Sequence, residues 1–329
     1  MKILSVDLKY DYGDKNRGIN QIGELGFRGS MRSLGHEVIE FNYDDYLQNP
    51  INLQKDLLSL VDENNPDLVF FCLFENQIHP ETIKEINKVS KTINWFGDDQ
   101  WRFNSFTKKY APLFTYSITT DKFSIPKYKK LGIDNIIYSQ WSAIQDESFN
   151  PKTQKYEFDI SFIGGAHPVR KWIIHELNKR GIKIAVFGPG WPSGPVSLER
   201  MTEVFRDSKI NLNLPNSNSF DARYFKYNPR NIITSMRSPK NAPQMKARNF
   251  EIPYYGGFTL TDYVPSLEEY FDIGKEIVCF KDIEDLEILI NYYLENEGER
   301  EHIRERGVKK AREKYTYLNK FRDIFEAIK

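Results

Sequence analysis

Cysteine is nearly absent: the 329 residues hold two, Cys72 and Cys279. Each lies in an apolar strand-like run, in what would be different domains, which argues against a disulfide and for buried thiols in a reducing compartment. An excess of charge is also missing. The 46 Lys and Arg balance 46 Asp and Glu, so neither wholesale disorder nor bulk attraction to nucleic acid is indicated, and any basic site must be local. Long apolar runs are lacking as well. None approaches the roughly 20 residues of a membrane span, and Met1 to Asp7 turns polar too early for a signal peptide. A soluble, cytoplasmic protein is the expectation. No internal repeat or low-complexity tract is visible.

What is there is alternation. The length exceeds what one core usually supports, so two domains of roughly 150 residues are expected. Short apolar runs at Ile3 to Val6, Asp67 to Phe74, Thr92 to Phe96, Phe114 to Thr119 and Ile136 to Tyr138 are separated by stretches of helical spacing. Continuous apolar strands joined by helices mean a parallel sheet covered on both faces, whose ligands sit beyond the carboxyl ends of the strands. Asp7, Glu75, Asp98, Asp99 and Asp121 stand at those ends. A polar stretch from Gln145 to Glu157 reads as a linker. The expected domains are 1–150 and 151–315, with 316–329 a closing helix that can pack back on the first.

After the linker the pattern restarts. Phe158 to Ile163 runs into Gly164-Gly165-Ala166-His167-Pro168 and then a helix carrying Arg170. Strand, glycine loop and helix form a phosphate-cradle layout, although two glycines after a strand also make an ordinary tight turn. The next strand ends in Gly188-Pro189-Gly190-Trp191, where Trp191 either stacks on a ligand or packs. Residues 216–247 are too long and irregular for an ordinary connection and read as a flap or functional loop. From Arg223 to Arg248 there are seven basic residues and no acidic one, so something anionic is expected nearby. Lys246, Arg248 and Glu251 then precede Gly256-Gly257 and an apolar strand. A short helix through these three would gather them near one end, either as a diphosphate and ribose site or as a solvated charged face.

The second half resembles the CgeB-type glycosyltransferases, a branch of the GT-B superfamily. The resemblance covers about residues 158 to 317. It rests on Phe158-Asp-Ile-Ser-Phe-Ile-Gly-Gly165, Phe187-Gly-Pro-Gly-Trp191, Ser208-Lys-Ile-Asn-Leu-Asn213, Arg248-Asn-Phe-Glu251, Gly256-Gly-Phe-Thr-Leu-Thr-Asp262 and Tyr315-Thr-Tyr317. It implies an α/β protein of GT-B fold, with two Rossmann-like domains facing across a cleft. A nucleotide sugar (UDP-, GDP- or dTDP-linked) is implied on the second domain, a glycan, lipid-linked or small-molecule acceptor on the first, and no metal or other cofactor. Glu251 would accept hydrogen bonds from the ribose hydroxyls. Arg248 and Lys246, with donors from the Gly164-Gly165 loop, would neutralise the diphosphate. His167 is another candidate for the donor phosphates, Arg170 and Gly188 are further donor-binding candidates, and Gly256-Gly257 look like the turn that lets the backbone approach the donor. One departure stands out. Many retaining relatives carry another glutamate eight residues before the ribose glutamate; Pro243 occupies that position here, so the resemblance does not fix the stereochemistry.

Asp98 and Asp99 are the candidates for the catalytic base or acceptor-positioning residue, since both follow a strand; a capping or turn role fits the same positions. A sugar-nucleotide epimerase of the same architecture and a non-catalytic two-domain binding protein are the alternatives. Peripheral membrane association is compatible with the sequence, and nucleic-acid binding is not expected.

Overall fold

The computed structural model describes residues 1–153 and 155–328. Gln154, within the expected linker, and Lys329, at the end of the expected closing helix, lie outside the described residues. Contacts divide the chain into two compact units, Met1–Gln145 together with the residues from Tyr317 onward, and Asp146–Thr316.

The first unit is built on a six-stranded parallel sheet. Its strands are β1 (Lys2–Asp7), β2 (Glu37–Asn42), β3 (Leu68–Phe71), β4 (Lys91–Phe96), β5 (Tyr116–Thr119) and β6 (Ile136–Tyr138), in the spatial order β2-β1-β3-β4-β5-β6. The chain winds one way from β1 to β2 and the other way from β3 onward. The switch point between β1 and β3 is therefore where a doubly wound sheet opens a crevice at its carboxyl edge. Helix Pro50–Asn64 shows how the covering layer is specified. The Asn49 side chain accepts from the Asn52 amide, proline opens the first turn, and Asn65 closes the helix in the left-handed conformation. Leu53, Leu57 and Val61, four residues apart, go into the core. The closing helix Tyr317–Ala327 belongs to this unit. Its Phe321 ring lies 5.4 Å from Phe27 and 5.5 Å from Phe70, and the Tyr317 amide donates to the Ala143 carbonyl at 3.0 Å.

The second unit carries a five-stranded parallel sheet of β7 (Phe158–Ile163), β8 (Ala185–Phe187), β9 (Ser208–Asn213), β10 (Thr259–Asp262) and β11 (Val278–Phe280), in the order β11-β10-β9-β7-β8. Here the winding reverses between β7 and β9. Ile163 pairs with Phe187, Phe162 with Leu212, and Thr261 with Asn213. That register brings Gly164, Gly188, Leu214 and Asp262 side by side on one edge.

Where the sequence suggests an irregular loop over 216–247, two short helices form, Ala222–Tyr227 and Arg230–Arg237. The second buries Asn231 and Ser235 and leaves Ile232, Ile233 and Met236 exposed. The helix expected through Lys246 begins two residues later, at Arg248, with the Lys246 amide donating to the Asn249 side chain at 2.9 Å.

Candidate active site

The carboxyl edge of the second sheet is tightly tied. The Gly164 amide donates to the Phe187 carbonyl and the Ala166 amide to the Pro189 carbonyl, both at 2.9 Å. A side chain on Gly188, whose φ is +127°, would bring its Cβ to 2.5 Å from the Gly164 carbonyl oxygen. The glycine is thus required by the approach of two strand ends. Trp191 is anchored at the same point: its indole N–H donates to the Gly164 carbonyl at 2.7 Å and its ring packs edge-on against Phe162. Most of the glycine loop's amides are therefore consumed inside the protein. The Gly165 amide has no acceptor among the described residues.

His167 caps helix Pro168–Lys179, its Nδ1 accepting from the Val169 amide at 3.4 Å. The ring proton of the neutral form is then assigned to Nε2. Burial, reinforced by the charges of Arg170 and Lys240, pushes its pKa down to about 4. His167 is consequently neutral near pH 7 and offers a hydrogen bond, not a cation.

Cations gather around the ends of β7 and β9. Arg170 donates to the Gly165 carbonyl at 3.2 Å and to Leu214 and Pro215, and stacks over Phe162. Lys246 donates to the same Leu214 carbonyl at 3.1 Å and pairs with Asp262 at 3.0 Å, with both side chains nearly buried. Burial pulls the lysine pKa down, opposed by Asp262. Arg248 reaches the Ile163 carbonyl at 3.4 Å and forms an ion pair with Glu251 one turn along its helix. The Glu251 side chain is 3 % exposed and that of Arg248 28 %, so the arginine forms the solvent side of the pair. Arg248 is the single donor to Glu251 among the described residues. Lys246 proves more enclosed than its place in a basic segment implies, because its partner Asp262 arrives from the end of β10.

Gly256 approaches protein backbone and Gly257 neighbouring side chains instead of an open site. A Cβ at Gly256, with φ at +89°, would lie 2.1 Å from the Pro151 carbonyl oxygen, and one at Gly257 2.6 Å from the side-chain Nδ2 of Asn211 and from a methyl of Ile252. Beneath this turn is a buried polar network: Asn213 donates to Thr261 at 3.0 Å, Asn249 to Thr261 at 3.2 Å, and Ser161 to Asn211 at 3.0 Å. Sequence reasoning passes over these residues as site components. Their signal is the alternation of Asn211 and Asn213 with Ile210 and Leu212 inside one strand.

The structure separates the two aspartates of the first unit. Asp99 is 1 % exposed. It accepts from Thr107 at 2.6 Å, Thr119 at 2.5 Å and Tyr128 at 2.7 Å. It locks the turn after β4 and has no free face for chemistry. Asp98 precedes it, partly exposed, with its carbonyl accepting from Trp101 and Arg102. At the β1/β3 switch point a further group appears that the sequence did not single out. Tyr12 is 61 % exposed and held at φ +54°. Its ring stands edge-on to Phe74 at 5.5 Å under the Arg17 guanidinium, and Arg102 lies 5.6 Å from the Phe74 ring. A left-handed tyrosine persists only where its surroundings over-determine it.

Burial raises the Asp99 pKa from 3.8 to about 6, and that of Asp7 from 3.8 to about 7. Folded values above unfolded ones mean that the folded protein holds these protons more tightly. The stability they contribute is complete below the unfolded value and is lost as pH rises through the folded ones. The urea midpoint of the first unit should therefore fall between about pH 4 and about pH 7, and Asp7→Asn should flatten that slope. An unchanged slope in the variant would refute the assignment.

Two parallel sheets, each wound in both directions, define the fold class as GT-B. Residues 170–326 match a protein-family model described as glycosyl transferase-like. Over 100 % of this chain and 99 % of the other, the fold is similar to a glycosyltransferase from Rickettsia africae ESF-5, with a TM-score of 0.64 and 12 % identity. It is similar over the same shares to Anabaena HepE in complex with UDP-glucose, with a TM-score of 0.63 and 10 % identity. Sucrose-phosphate synthase from Thermosynechococcus elongatus gives a TM-score of 0.65 at 7 % identity, again over 100 % and 99 %. No curated protein sequence matches the chain. The family match and the fold together support glycosyl transfer.

Proposed function

We propose that the protein is a CgeB-type glycosyltransferase that moves a sugar from a nucleoside diphosphate to a glycan, lipid-linked or small-molecule acceptor in the cytoplasm, without a metal. The observation that carries this reading is the Arg248–Glu251 pair at the switch point of the second sheet, with Arg170 and Lys246 behind it on the Leu214 carbonyl. Three cations there face two carboxylates, Glu251 and Asp262.

Arg248 neutralises Glu251. When the donor enters, the guanidinium turns to the diphosphate and leaves the carboxylate to accept the ribose hydroxyls, a task suited to a pure acceptor. The Gly165 amide and the neutral His167 add donors, while Arg170 and Lys246 supply positive field from within. As the bond from the anomeric carbon to the diphosphate breaks, its electron pair leaves with the phosphate, where these groups stabilise it. The acceptor oxygen bonds to the anomeric carbon and gives its proton to a base. Asp98 is that base, held in place by the Asp99 lock. The Tyr12 and Phe74 rings offer the acceptor sugar an apolar face at the other switch point.

HepE binds UDP-glucose, which makes UDP the first donor nucleotide to try. With UDP, GDP and dTDP supplied at about 100 times Kd, a binding nucleotide adds about 2.7 kcal/mol of stability. One of the three should raise Tm, and its sugar conjugate should be turned over. No shift and no turnover with any of them would end the proposal.

A further inference from the structure

Helix Arg230–Arg237 is built inside out. Its inner face consists of Asn231 and Ser235, 3 % and 5 % exposed, with the Asn231 side chain donating to the Tyr224 carbonyl at 3.0 Å. Its outer face carries Ile232, Ile233 and Met236, of which Met236 is 83 % exposed. At 100° per residue the three fall within about 100° of one another, away from Asn231 and Ser235, and Arg230 and Arg237 border them together on one side. Phe220, 73 % exposed, and the preceding helix with Lys226 and Tyr227 extend the same mixture. Leaving two isoleucines and a methionine in water while burying an asparagine and a serine forgoes apolar burial, so the outer face is shaped for an environment other than water.

We propose that this face docks on an anionic membrane surface, the apolar residues entering the headgroup boundary and the arginines meeting lipid phosphates. Charge decides the occupant. Lys226, Arg230 and Arg237 are exposed and have no acidic partner among the described residues. Arg223, on the preceding helix, is by contrast held by Asp221 and Glu284. No acidic residue occurs from Arg223 to Arg248. A second copy of the chain would bring the same arginines against each other across a two-fold axis, and a helix of eight residues is short for a stable dimer interface. A bilayer supplies both an apolar layer and a negative potential, and needs no matching surface. The docking is independent of the donor reading: it requires no nucleotide and touches none of the groups assigned to the donor.

The test is co-sedimentation of the full chain, without nucleotide, with vesicles of phosphatidylcholine alone and of phosphatidylcholine mixed with phosphatidylglycerol. The protein should pellet with the mixed vesicles and remain in solution with the neutral ones, and high salt should release it. Three exposed cations at roughly fivefold each give about a hundredfold preference for the anionic surface. The combined variant Ile232→Asn, Ile233→Asn, Met236→Ser should lower vesicle partition at least about tenfold. Arg230→Glu with Arg237→Glu should abolish the preference for mixed vesicles, and it decides alone if the apolar variant misfolds. The inference is overturned if the wild-type chain ignores the mixed vesicles, or if the arginine pair variant binds them equally well. It is likewise overturned if light scattering finds a dimer that the apolar variant converts to monomer.

Discussion

Glu251→Ala should lower kcat/KM for the sugar nucleotide by about 30- to 1000-fold, because two hydrogen bonds from ribose hydroxyls to a charged acceptor together contribute about 2 to 4 kcal/mol after solvent exchange. The change also frees Arg248, whose side chain is 28 % exposed, so water can solvate the released guanidinium and the folded state should lose little. Stability and activity are separable for this reason. Nucleotide affinity should fall with the same mutation, since the ribose belongs to the nucleotide and not to the sugar. Glu251→Gln, which retains one acceptor oxygen, should fall between wild type and alanine. The measurement is steady-state turnover alongside the nucleotide Kd. A Glu251→Ala enzyme within threefold of wild type in both would remove the ribose from this residue.

Lys246→Met should cost stability instead. Asp262 would be left nearly buried, 11 % exposed in its side chain, without its compensating charge, and breaking such a pair from one side costs about 3 to 5 kcal/mol. The fully apolar double variant, Lys246→Met with Asp262→Leu, should recover much of that loss, because it removes the stranded charge as well as the pair. Urea unfolding of the wild type, both single variants and the double variant closes the cycle. A Lys246→Met protein that unfolds at the wild-type midpoint would show that the pair is solvated and that Lys246 is available to a ligand directly.

The two cases also show what can be read along the chain. The Gly164-Gly165 turn and the strand before it are local patterns, and the structure places them at the switch point where a parallel sheet binds ligands. Arg248 and Glu251 lie three apart, and one helical turn brings them together. The enclosure of Lys246 depends on Asp262, sixteen residues on and delivered by β10. Asp99 is occupied by hydroxyls at positions 107, 119 and 128, brought together by three elements whose packing no local period encodes. Helix Arg230–Arg237 escaped for another reason. It is only eight residues long, between Asn228-Pro229 and Ser238-Pro239, so turn-forming residues dominate the stretch and it reads as a loop.

Trp191 has a use beyond packing. The second unit holds two of the five tryptophans, Trp172 and Trp191. Trp172 is sealed in the core, whereas the Trp191 indole is fastened to the carbonyl of Gly164, which opens the glycine loop after β7. Any ligand that displaces that carbonyl alters the indole's hydrogen bond, and with it the emission of a fluorophore the protein already carries. Occupancy of the loop is thereby converted into an optical signal, and nucleotides can be compared in the unlabelled protein.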